Sequence, residues 1–428
     1  MTIAIGLTTL FALLFIGMPV GFSMLVSGVV GLYAVGGLSL VVGYLQTTPL
    51  ASVTSYELIT VPMFILMAEF VILSGVADDL FKAAATWVGR VPGGLGIATA
   101  FAGAGFGAIS GSSTASAATL SSTSIPAMLA RGYEPKLACG VVAISGTLAM
   151  LIPPSIALVL YAIIADANIG ALLIGGVIPG LLVTATIALT VYVLVLLDPA
   201  RAPPGRRFTM AEKFRSLAVV GPMLILFLGV TGVIYLGVAT PTEASAIGAA
   251  GAFLLTLWQR RLTWRSFRGA LKGSASTTCM IFMIILGAKV FGYFVTLTQI
   301  TPALVSSVTA LGLEPWVVLV FVLALYFVLG CIMDQIAILI LTVPILLPLM
   351  TSLGYDPVWF GVIVIVMAEI GLVTPPLGLN VFVVSKYANR PLAEVFSGVW
   401  PHVVAHLGAV ALMCIFPQII LWLPSKMH

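Results

Sequence analysis

The chain has 428 residues, of which 61% are hydrophobic and 7% are charged. Soluble domains carry about 25% charged residues, so this composition excludes a soluble enzyme and indicates an all-α polytopic membrane protein. The net charge of +4 does not indicate nucleic-acid binding, because the basic residues lie in short loops between apolar segments. Forty-three glycines and twenty-five prolines predict broken helices, which a membrane tolerates only where protein or water satisfies the freed backbone groups.

The first half of the chain is predicted to extend over residues 1–197. It consists of apolar spans, an interfacial arm and a helix that is broken at Pro153-Pro154. The predicted spans are residues 3–17, 20–37, 58–80 and 170–197, the arm is 38–57, and the broken helix is 138–165.

The stretch from Gly107 to Pro126 is unusually rich in hydroxyl groups, and no charged residue interrupts it. Hydroxyl groups at membrane depth need hydrogen-bond partners, because hydrocarbon offers none. One interpretation is a helix-packing face of small residues. The other is a re-entrant helical hairpin over residues 93–129, whose tip at Gly111-Ser112-Ser113 lines a polar cavity.

Residues 198–215 form the only clearly soluble segment, and we predict a cytoplasmic linker that joins the halves and lines nothing. The second half, residues 216–428, repeats the kinds of segment found in the first. Its predicted segments are spans over 216–237, 244–258, 274–298 and 402–423, a basic amphipathic arm over 259–272, a hairpin over 315–351, and a helix over 357–385 that is broken at Pro375-Pro376.

The positions of the basic residues predict the orientation. If the linker is cytoplasmic and both hairpins are re-entrant, sixteen of the eighteen Lys and Arg residues fall on the cytoplasmic side. The exceptions are Lys289, within a span, and Lys426, near the C-terminus. A hairpin that crossed the membrane once would reverse every later loop, so the charges favour two re-entrant hairpins with both termini periplasmic.

The two halves also share motifs in the same order and at a nearly constant offset along the chain. Gly111 of the first half corresponds to Gly330 of the second, and Pro153-Pro154 corresponds to Pro375-Pro376. Two further matches have almost the same offset, namely Pro126 with Pro344 and the segment 64–68 with the segment 284–288. We predict two inverted-topology repeats, with the site near mid-membrane on their pseudo-two-fold axis.

Each half therefore supplies a hairpin tip and a helix broken at Pro-Pro. The break exposes carbonyl groups that suit Na⁺, and the half-helix beyond it offers N–H groups that suit a carboxylate. We predict one Na⁺ site formed by Gly111, Ser112, Ser113, Gly146, Thr147 and Pro153, and a second formed by Gly330, Met333, Asp334, Gly371, Thr374 and Pro375. The alternative is that the Pro-Pro pairs are only kinks and the glycines only packing positions.

Four ionisable residues lie inside apolar stretches, where such groups are usually functional or paired. Asp334 and Glu369 could bind a cation or a proton, whereas Glu69 and Lys289 are candidates for a buried structural ion pair across the repeat axis. An anionic substrate would rest on hydroxyl groups, helix ends and co-bound cations. The candidate substrate-binding residues are Ser113, Thr114, Ser155 and Asn380.

The sequence offers little support for catalysis. The four cysteines are far apart, and His402 and His406 have no carboxylate or cysteine beside them, so a metal site is not expected. The spans contain no Ser/His arrangement, no paired aspartates and no HExxH motif. We therefore expect a protein that is not an enzyme and needs no cofactor, with Na⁺ as the coupling ion.

Five segments in order, ISGSSTASAATLSS, GTLAMLIPPSIALVLYA, TPTEASAIGA, MDQIAILILTVPILLPL and AEIGLVTPPLGLNVFV, closely resemble the large membrane subunit of TRAP (tripartite ATP-independent periplasmic) transporters. The resemblance covers essentially the whole chain. It implies Na⁺-driven uptake of an organic acid anion, such as a C4-dicarboxylate or sialate, across the bacterial inner membrane. The implied partners are a periplasmic substrate-binding protein and a small four-helix membrane subunit.

The resemblance also implies an elevator mechanism of the ion transporter superfamily type, with the cation sites at the hairpin tips and helix breaks. Sialic-acid members tend to have Glu-Pro where this chain has Asp334-Gln335, which weakens a sialate assignment. Because the chain begins at the first large-subunit span, we expect the small subunit to be a separate polypeptide. The alternatives are a stand-alone Na⁺/dicarboxylate symporter of the same broad fold and a passive channel.

Overall fold

The computed structural model describes residues 2–427, apart from the side chain of Thr309, and these residues form helices and turns without a β-strand. Seven helical segments of this part of the chain are long and apolar enough to cross a membrane. They are Val20–Ala51, Tyr56–Leu73, Ile169–Leu197, Met210–Tyr235, Trp264–Leu297, Gln335–Ser352 and Leu392–Ile415. The composition and the helix lengths therefore agree on a multi-pass membrane protein.

The first half contains ten α-helices. In chain order they are α1 (Thr2–Phe15), α2 (Val20–Ala51), α3 (Thr60–Leu73), α4 (Val76–Val88), α5 (Gly94–Ser110), α6 (Ser113–Leu129), α7 (Pro135–Gly146), α8 (Ile156–Ala165), α9 (Ile169–Gly175) and α10 (Val177–Leu197). Helix α2 loses its helical geometry at Gly36 and Gly37, where the predicted span gives way to the predicted arm.

The second half contains a further ten helices. They are α11 (Met210–Tyr235), α12 (Pro241–Trp258), α13 (Trp264–Leu297), α14 (Ile300–Ala310), α15 (Pro315–Gly330), α16 (Gln335–Ser352), α17 (Pro357–Gly371), α18 (Leu379–Ala388), α19 (Leu392–Ile415) and α20 (Gln418–Leu421). Short turns join α5 to α6 and α15 to α16, and each pair packs together. Cis Pro-Pro bonds lie between α7 and α8 and between α17 and α18.

The interfacial arm and the span predicted over residues 259–298 are one continuous helix, so their separation is corrected. Helix α13 runs for 34 residues, and its start is fixed by Thr263, whose hydroxyl accepts the N–H of Ser266 at 3.1 Å. The single glycines within it, such as Gly269 and Gly273, weaken a helix by about 1 kcal/mol each but do not end it. An amphipathic start and an apolar remainder can therefore share one helix.

The linker is shorter and more tightly packed than expected. Helix α11 takes residues 210–215, because Thr209 and Glu212 form a capping box at its start. The carbonyl of Arg201 accepts the N–H of Glu134 at 2.8 Å, and the Arg201 side chain pairs with the Glu134 carboxylate at 3.6 Å. Ala202 is buried. The expectation that this segment borders no cavity is wrong, since residues 203–206 line a cavity of about 380 Å³ together with residues that follow α4 and α6.

The most deeply buried helices surround the polar stretches. Every residue of α17 from Trp359 to Gly371 is buried, as is every residue of α7 from Leu137 to Gly146. Helix α5 packs on α7, α6 packs on α7 and α18, and α15 packs on α17. The two hairpins and the two broken helices therefore form one contiguous body, and the candidate residues lie within it.

Candidate functional site

The first hairpin tip is built by Gly111 and Ser112. Gly111 ends α5 in the left-handed conformation (φ 56°), which side-chain-bearing residues rarely adopt, and its N–H donates to Gly107 O at 3.3 Å. Ser112 caps α6, since its Oγ accepts the N–H of Ala115 at 3.4 Å. A Cβ on Gly111 would lie 3.0 Å from Ile156, so the tip rests against the start of α8.

The broken helix meets this tip at the end of α7. A Cβ on Gly146 would lie 3.0 Å from the carbonyl oxygen of Ser113, so the two predicted ligands are brought together. The hydroxyl of Thr147 donates to Ile144 O at 2.7 Å within its own turn. Pro153 is buried in the interruption before α8. Gly146 therefore meets the hairpin tip at Ser113, whereas the hydroxyl of Thr147 is directed to the backbone of α7.

The second hairpin tip lies against the second broken helix in the same manner. A Cβ on Gly330 would lie 3.0 Å from the Cα of Gly371, which allows α15 and α17 to approach closely. Beyond α15, the carbonyl of Cys331 accepts the N–H of Leu377 at 3.3 Å. This bond attaches the tip to the residues that follow Pro375-Pro376, and the hydroxyl of Thr374 donates to Ile370 O at 2.6 Å.

Asp334 and Met333 are less enclosed than the rest of the second set. The carboxylate of Asp334 caps α16 by accepting the N–H of Ile336 at 3.1 Å, and the side chain is exposed. It borders a cleft of about 440 Å³ between α16 on one side and α2 and α13 on the other, whose lining also includes Cys279. Met333 is half-buried. The structure therefore places Asp334 at a cleft and not inside the Gly330–Gly371 contact.

The two halves of the chain meet through three side chains. The hydroxyl of Ser113 donates to Glu369 Oε2 at 2.9 Å and accepts from Asn380 Nδ2 at 2.7 Å. Ser113, Glu369 and Asn380 are 2%, 3% and 0% exposed. Ser113 begins α6, whereas the other two belong to α17 and α18, so the first hairpin is bonded to the second broken helix.

The four predicted substrate-binding residues divide into two groups. Ser113 and Asn380 are bonded to each other, and half-buried Thr114 follows Ser113, with its hydroxyl 3.4 Å from that of Ser112. Ser155 instead caps α8, where its Oγ accepts the N–H of Leu158 at 3.3 Å and donates to Met150 O. The hydroxyl of Ser155 is therefore bonded within its own turn, and its contact with a substrate stays a prediction.

The ion pair predicted between Glu69 and Lys289 is not formed. Glu69 of α3 lies beside Gly273, since a Cβ there would be 2.7 Å from its Oε1. Lys289 is sixteen residues further along α13, about 24 Å away at 1.5 Å per residue, and borders a different cavity. Residues at matching sequence positions in the two halves need not lie near each other in space. This is why the predicted ion pair does not form.

Sequence reasoning identified Glu369 as an ionisable residue but did not group it with Ser113 and Asn380. The available signal was its place in AEIGLVTPPLGLN, where a carboxylate and an amide flank the Pro-Pro break. It also missed Gln335, which is fully buried and donates to Ile365 O at 3.2 Å. The contact of Glu369 joins elements that are distant in the sequence, whereas that of Gln335 joins two consecutive helices whose packing a local pattern does not reveal.

These features define a class of protein: a multi-pass helical membrane protein whose polar groups meet at hairpin tips and broken helices, as they do in membrane transporters. Residues 7–419 match the family model described as "Tripartite ATP-independent periplasmic transporter, DctM component". The chain therefore belongs to this family, the large permease subunits of TRAP transporters. The resemblance drawn from its motifs is confirmed, and the protein is placed in the inner membrane.

Individual relatives agree with the family. The chain is 36% identical to a C4-dicarboxylate TRAP transporter large permease protein of Pseudomonas aeruginosa, over 86% of each chain. It is 33% identical to a sialic acid TRAP transporter large permease protein of Vibrio cholerae serotype O1, over 96% of each chain. Other relatives are named for ectoine and for isethionate, the latter as a single DctMQ permease of which this chain covers 64%.

A solved structure with a similar fold is that of the YdaH transporter of Alcanivorax borkumensis. The TM-score is 0.67 at 15% identity, and the match covers 88% of this chain and 89% of the other. At this identity the likeness concerns the fold alone.

Proposed function

We propose that this chain is the permeation subunit of a Na⁺-coupled importer for a small organic acid anion. In this proposal a periplasmic binding protein delivers the anion, and a small four-helix membrane subunit accompanies the chain. The two sets at the hairpin tips and helix breaks hold Na⁺, and the substrate lies beside Ser113 and Asn380. The relatives carry the names of different acids and of ectoine, so the particular substrate is left to experiment.

The observation that carries the proposal is the hydrogen-bonded link from Ser113 to Glu369 and Asn380. It joins a hairpin tip of one half to the broken helix of the other in the middle of a buried body. Such convergence of interrupted helices from two halves is where secondary transporters bind substrate and coupling ions. The N-terminal ends of α6 and α18 carry the positive end of the helix dipole, which suits the carboxylate of an organic acid.

An elevator movement is supported by the division of contacts. Helices α5 to α8 and α15 to α18 form one body, whereas α2 packs mainly on α13 and α3 packs mainly on α12. The cleft beside Asp334 lies between α16, which belongs to this body, and the packed pair of helices α2 and α13. We propose that the first body moves along the α2–α13 surface, with the halves related as inverted repeats.

The test is uptake into proteoliposomes that contain the chain with its small subunit. The anion is first chosen by thermal-shift screening of the cognate binding protein against organic acids. Uptake is expected to require both an inward Na⁺ gradient and the binding protein. Flux that continues unchanged after collapse of the gradient contradicts coupling and favours a channel. Uptake without the binding protein favours a stand-alone Na⁺/dicarboxylate symporter.

The two proposed Na⁺ sites are tested by Ser112→Ala and Thr374→Ala. Each substitution is expected to reduce Na⁺-dependent uptake in a folded protein. Ser122→Ala is the matched control, because Ser122 lies exposed on α6 and its hydroxyl donates only to Thr119 O. Unaltered sodium dependence in both variants would count against the two proposed Na⁺ sites.

A further inference from the structure

The start of α13 lies at the level of the lipid headgroups. The helix has 34 residues and is about 51 Å long at 1.5 Å per residue, whereas the hydrocarbon core of a membrane is about 30 Å thick. Even a tilt of about 40° leaves the helix longer than the core. Trp264 begins the helix with its ring exposed, and tryptophan is enriched where lipid meets water. The first turns of α13 therefore extend beyond the hydrocarbon.

Three basic side chains lie on one exposed side of these turns and form the basic face of α13. Arg265, Arg268 and Lys272 follow one another at intervals of three and four residues, so they share a face of the helix, and all three are exposed. A different face packs against the protein through Phe267, whose ring stacks on that of Phe70 in α3 at 6.1 Å. The basic face is therefore directed away from α3.

The positive charges of the basic face have no carboxylate partner. Within residues 2–427, the ion pairs lie at the linker and its neighbours, and none includes a residue of α13. Glu69 lies beside Gly273 without forming an ion pair, and exposed Arg260 and Arg261 add two further charges just before the helix. Clusters of Lys and Arg at the membrane surface attract anionic lipid headgroups, and guanidinium groups bind phosphate oxygens strongly. The basic face is therefore suited to a lipid phosphate.

The same face of α13 continues into an apolar cleft. Cys279 and Met283 are seven and eleven residues beyond Lys272, so they stand on this face about 10–17 Å further along the helix. Both line the cleft of about 440 Å³ between α13, α2 and α16. Asp334 is its charged lining residue, and the others are apolar side chains, glycine and cysteine. A basic face and an apolar cleft are therefore consecutive along one helix.

We propose that α13 binds an anionic phospholipid through its basic face and the cleft. The phosphate lies on Arg265, Arg268 and Lys272, and one acyl chain enters the cleft beside Met283. Half of the hydrocarbon core is about 15 Å thick, so an acyl chain spans the distance from the basic face to the cleft. Asp334 repels a phosphate, so the cleft accepts only the apolar part of the lipid. The orientation predicted from the basic residues assigns this lipid to the cytoplasmic leaflet, whose surface is negative.

The bound lipid lies between α16 and the packed pair of helices α2 and α13. Any sliding of α16 past α13, as in the proposed elevator movement, has to displace the acyl chain or carry it along. The anionic lipid content of the membrane therefore affects the ease of that movement. Binding of the lipid itself does not depend on the proposed function.

The headgroup contact is tested by thermal unfolding of the full chain, co-purified with its small subunit in detergent, with added phosphatidylglycerol or phosphatidylcholine. Phosphatidylglycerol is expected to raise the unfolding midpoint more than phosphatidylcholine does. The variant Arg265→Gln/Arg268→Gln/Lys272→Gln should raise the phosphatidylglycerol concentration for half-maximal stabilisation at least tenfold. An equal response of the unaltered chain to the two lipids, or an unchanged response in the variant, overturns the site.

The matched control also removes three exposed positive charges, but from other segments of the chain. It is Arg90→Gln/Arg207→Gln/Lys386→Gln, and it is expected to keep the lipid response of the unaltered chain. A loss as large as that of the first variant would mean that net charge alone attracts the lipid, which also overturns the site.

The acyl chain is located by a second measurement that needs no variant. Phosphatidylglycerol and phosphatidylcholine, each with a diazirine on one acyl chain, are cross-linked to the unaltered complex by light, and the labelled peptides are identified by mass spectrometry. Phosphatidylglycerol is expected to label residues 279–284 several-fold more than phosphatidylcholine at the same mole fraction. Equal labelling by the two lipids contradicts recognition of the headgroup. A cleft that neither lipid labels, as when the small subunit covers it, overturns the placement of the chain. Neither measurement involves transport, so their outcome is separate from that of the uptake assay.

Discussion

Gly398→Ala is predicted to destabilise the protein, because α19 touches α7 at this residue. A Cβ on Gly398 would overlap the carbonyl oxygen of Lys136 and lie 3.2 Å from the Cα of Gly140. These are backbone atoms of a buried helix, so no side chain can rotate away to make room. The helices would have to separate, and α7 leads directly to the Gly146–Ser113 contact.

The size of the effect follows from two opposing terms. Overpacking of a well-packed interior costs about 1–3 kcal/mol, and contact with backbone places this site toward the upper end. Replacing a helical glycine by alanine returns about 0.5–1 kcal/mol. We therefore expect a net loss of about 1–2 kcal/mol in the free energy of unfolding.

The control is Gly408→Ala in the same helix, where a new Cβ would have no atom within 4 Å. It receives the helix-propensity gain without the overpacking cost, so its stability should be unchanged or slightly higher. Both variants are compared with the unaltered chain by tryptophan-fluorescence thermal unfolding in one detergent. Equal midpoints for Gly398→Ala and Gly408→Ala would refute the close approach of α7 and α19.

Two further substitutions test contacts at the site and at the linker. Asn380→Ala removes the buried bond to Ser113, which is worth about 1–3 kcal/mol when a partner is left unsatisfied, so initial uptake should fall about tenfold or more. Tyr387→Phe, exposed on the same helix, is its control, and similar rates for the two would contradict the role of the bond. Gly205→Ala should lower the unfolding midpoint, because the new Cβ would strike the backbone of the residues that follow α4, whereas exposed Arg207→Ala should not. Tolerance of both linker substitutions would show that the segment is not docked.

The elements that sequence reasoning located correctly have local physical causes. Gly111 ends a helix because glycine adopts the left-handed conformation, and Ser112 starts the next because its hydroxyl can cap it. The Pro-Pro pairs interrupt helices because proline lacks the donor that an intact helix needs. Each of these rules acts within a few residues, so the helix interruptions could be predicted from the order of the residues.

The elements that it missed depend on which distant segments meet. Glu69 and Lys289 occupy matching places in the halves, yet α13 passes Glu69 at Gly273. The linker looked free because it is polar and rich in proline, but Ala202 is small enough to be buried. No local pattern contains such information, since it arises only from the packing of whole helices.

The bonds from Ser113 to Glu369 and Asn380 have a consequence for biogenesis. Glu369 and Asn380 lie 256 and 267 residues after Ser113 in the sequence. The first hairpin therefore leaves the ribosome long before the acceptor Glu369 and the donor Asn380 have been synthesised. At about 5–20 residues per second, the wait is roughly 10–50 s. During that interval the hydroxyl-rich helix must be shielded from lipid by the insertion machinery or by neighbouring helices. A nascent chain arrested before residue 369 should therefore keep this helix out of contact with lipid, against either the translocon or the helices already made.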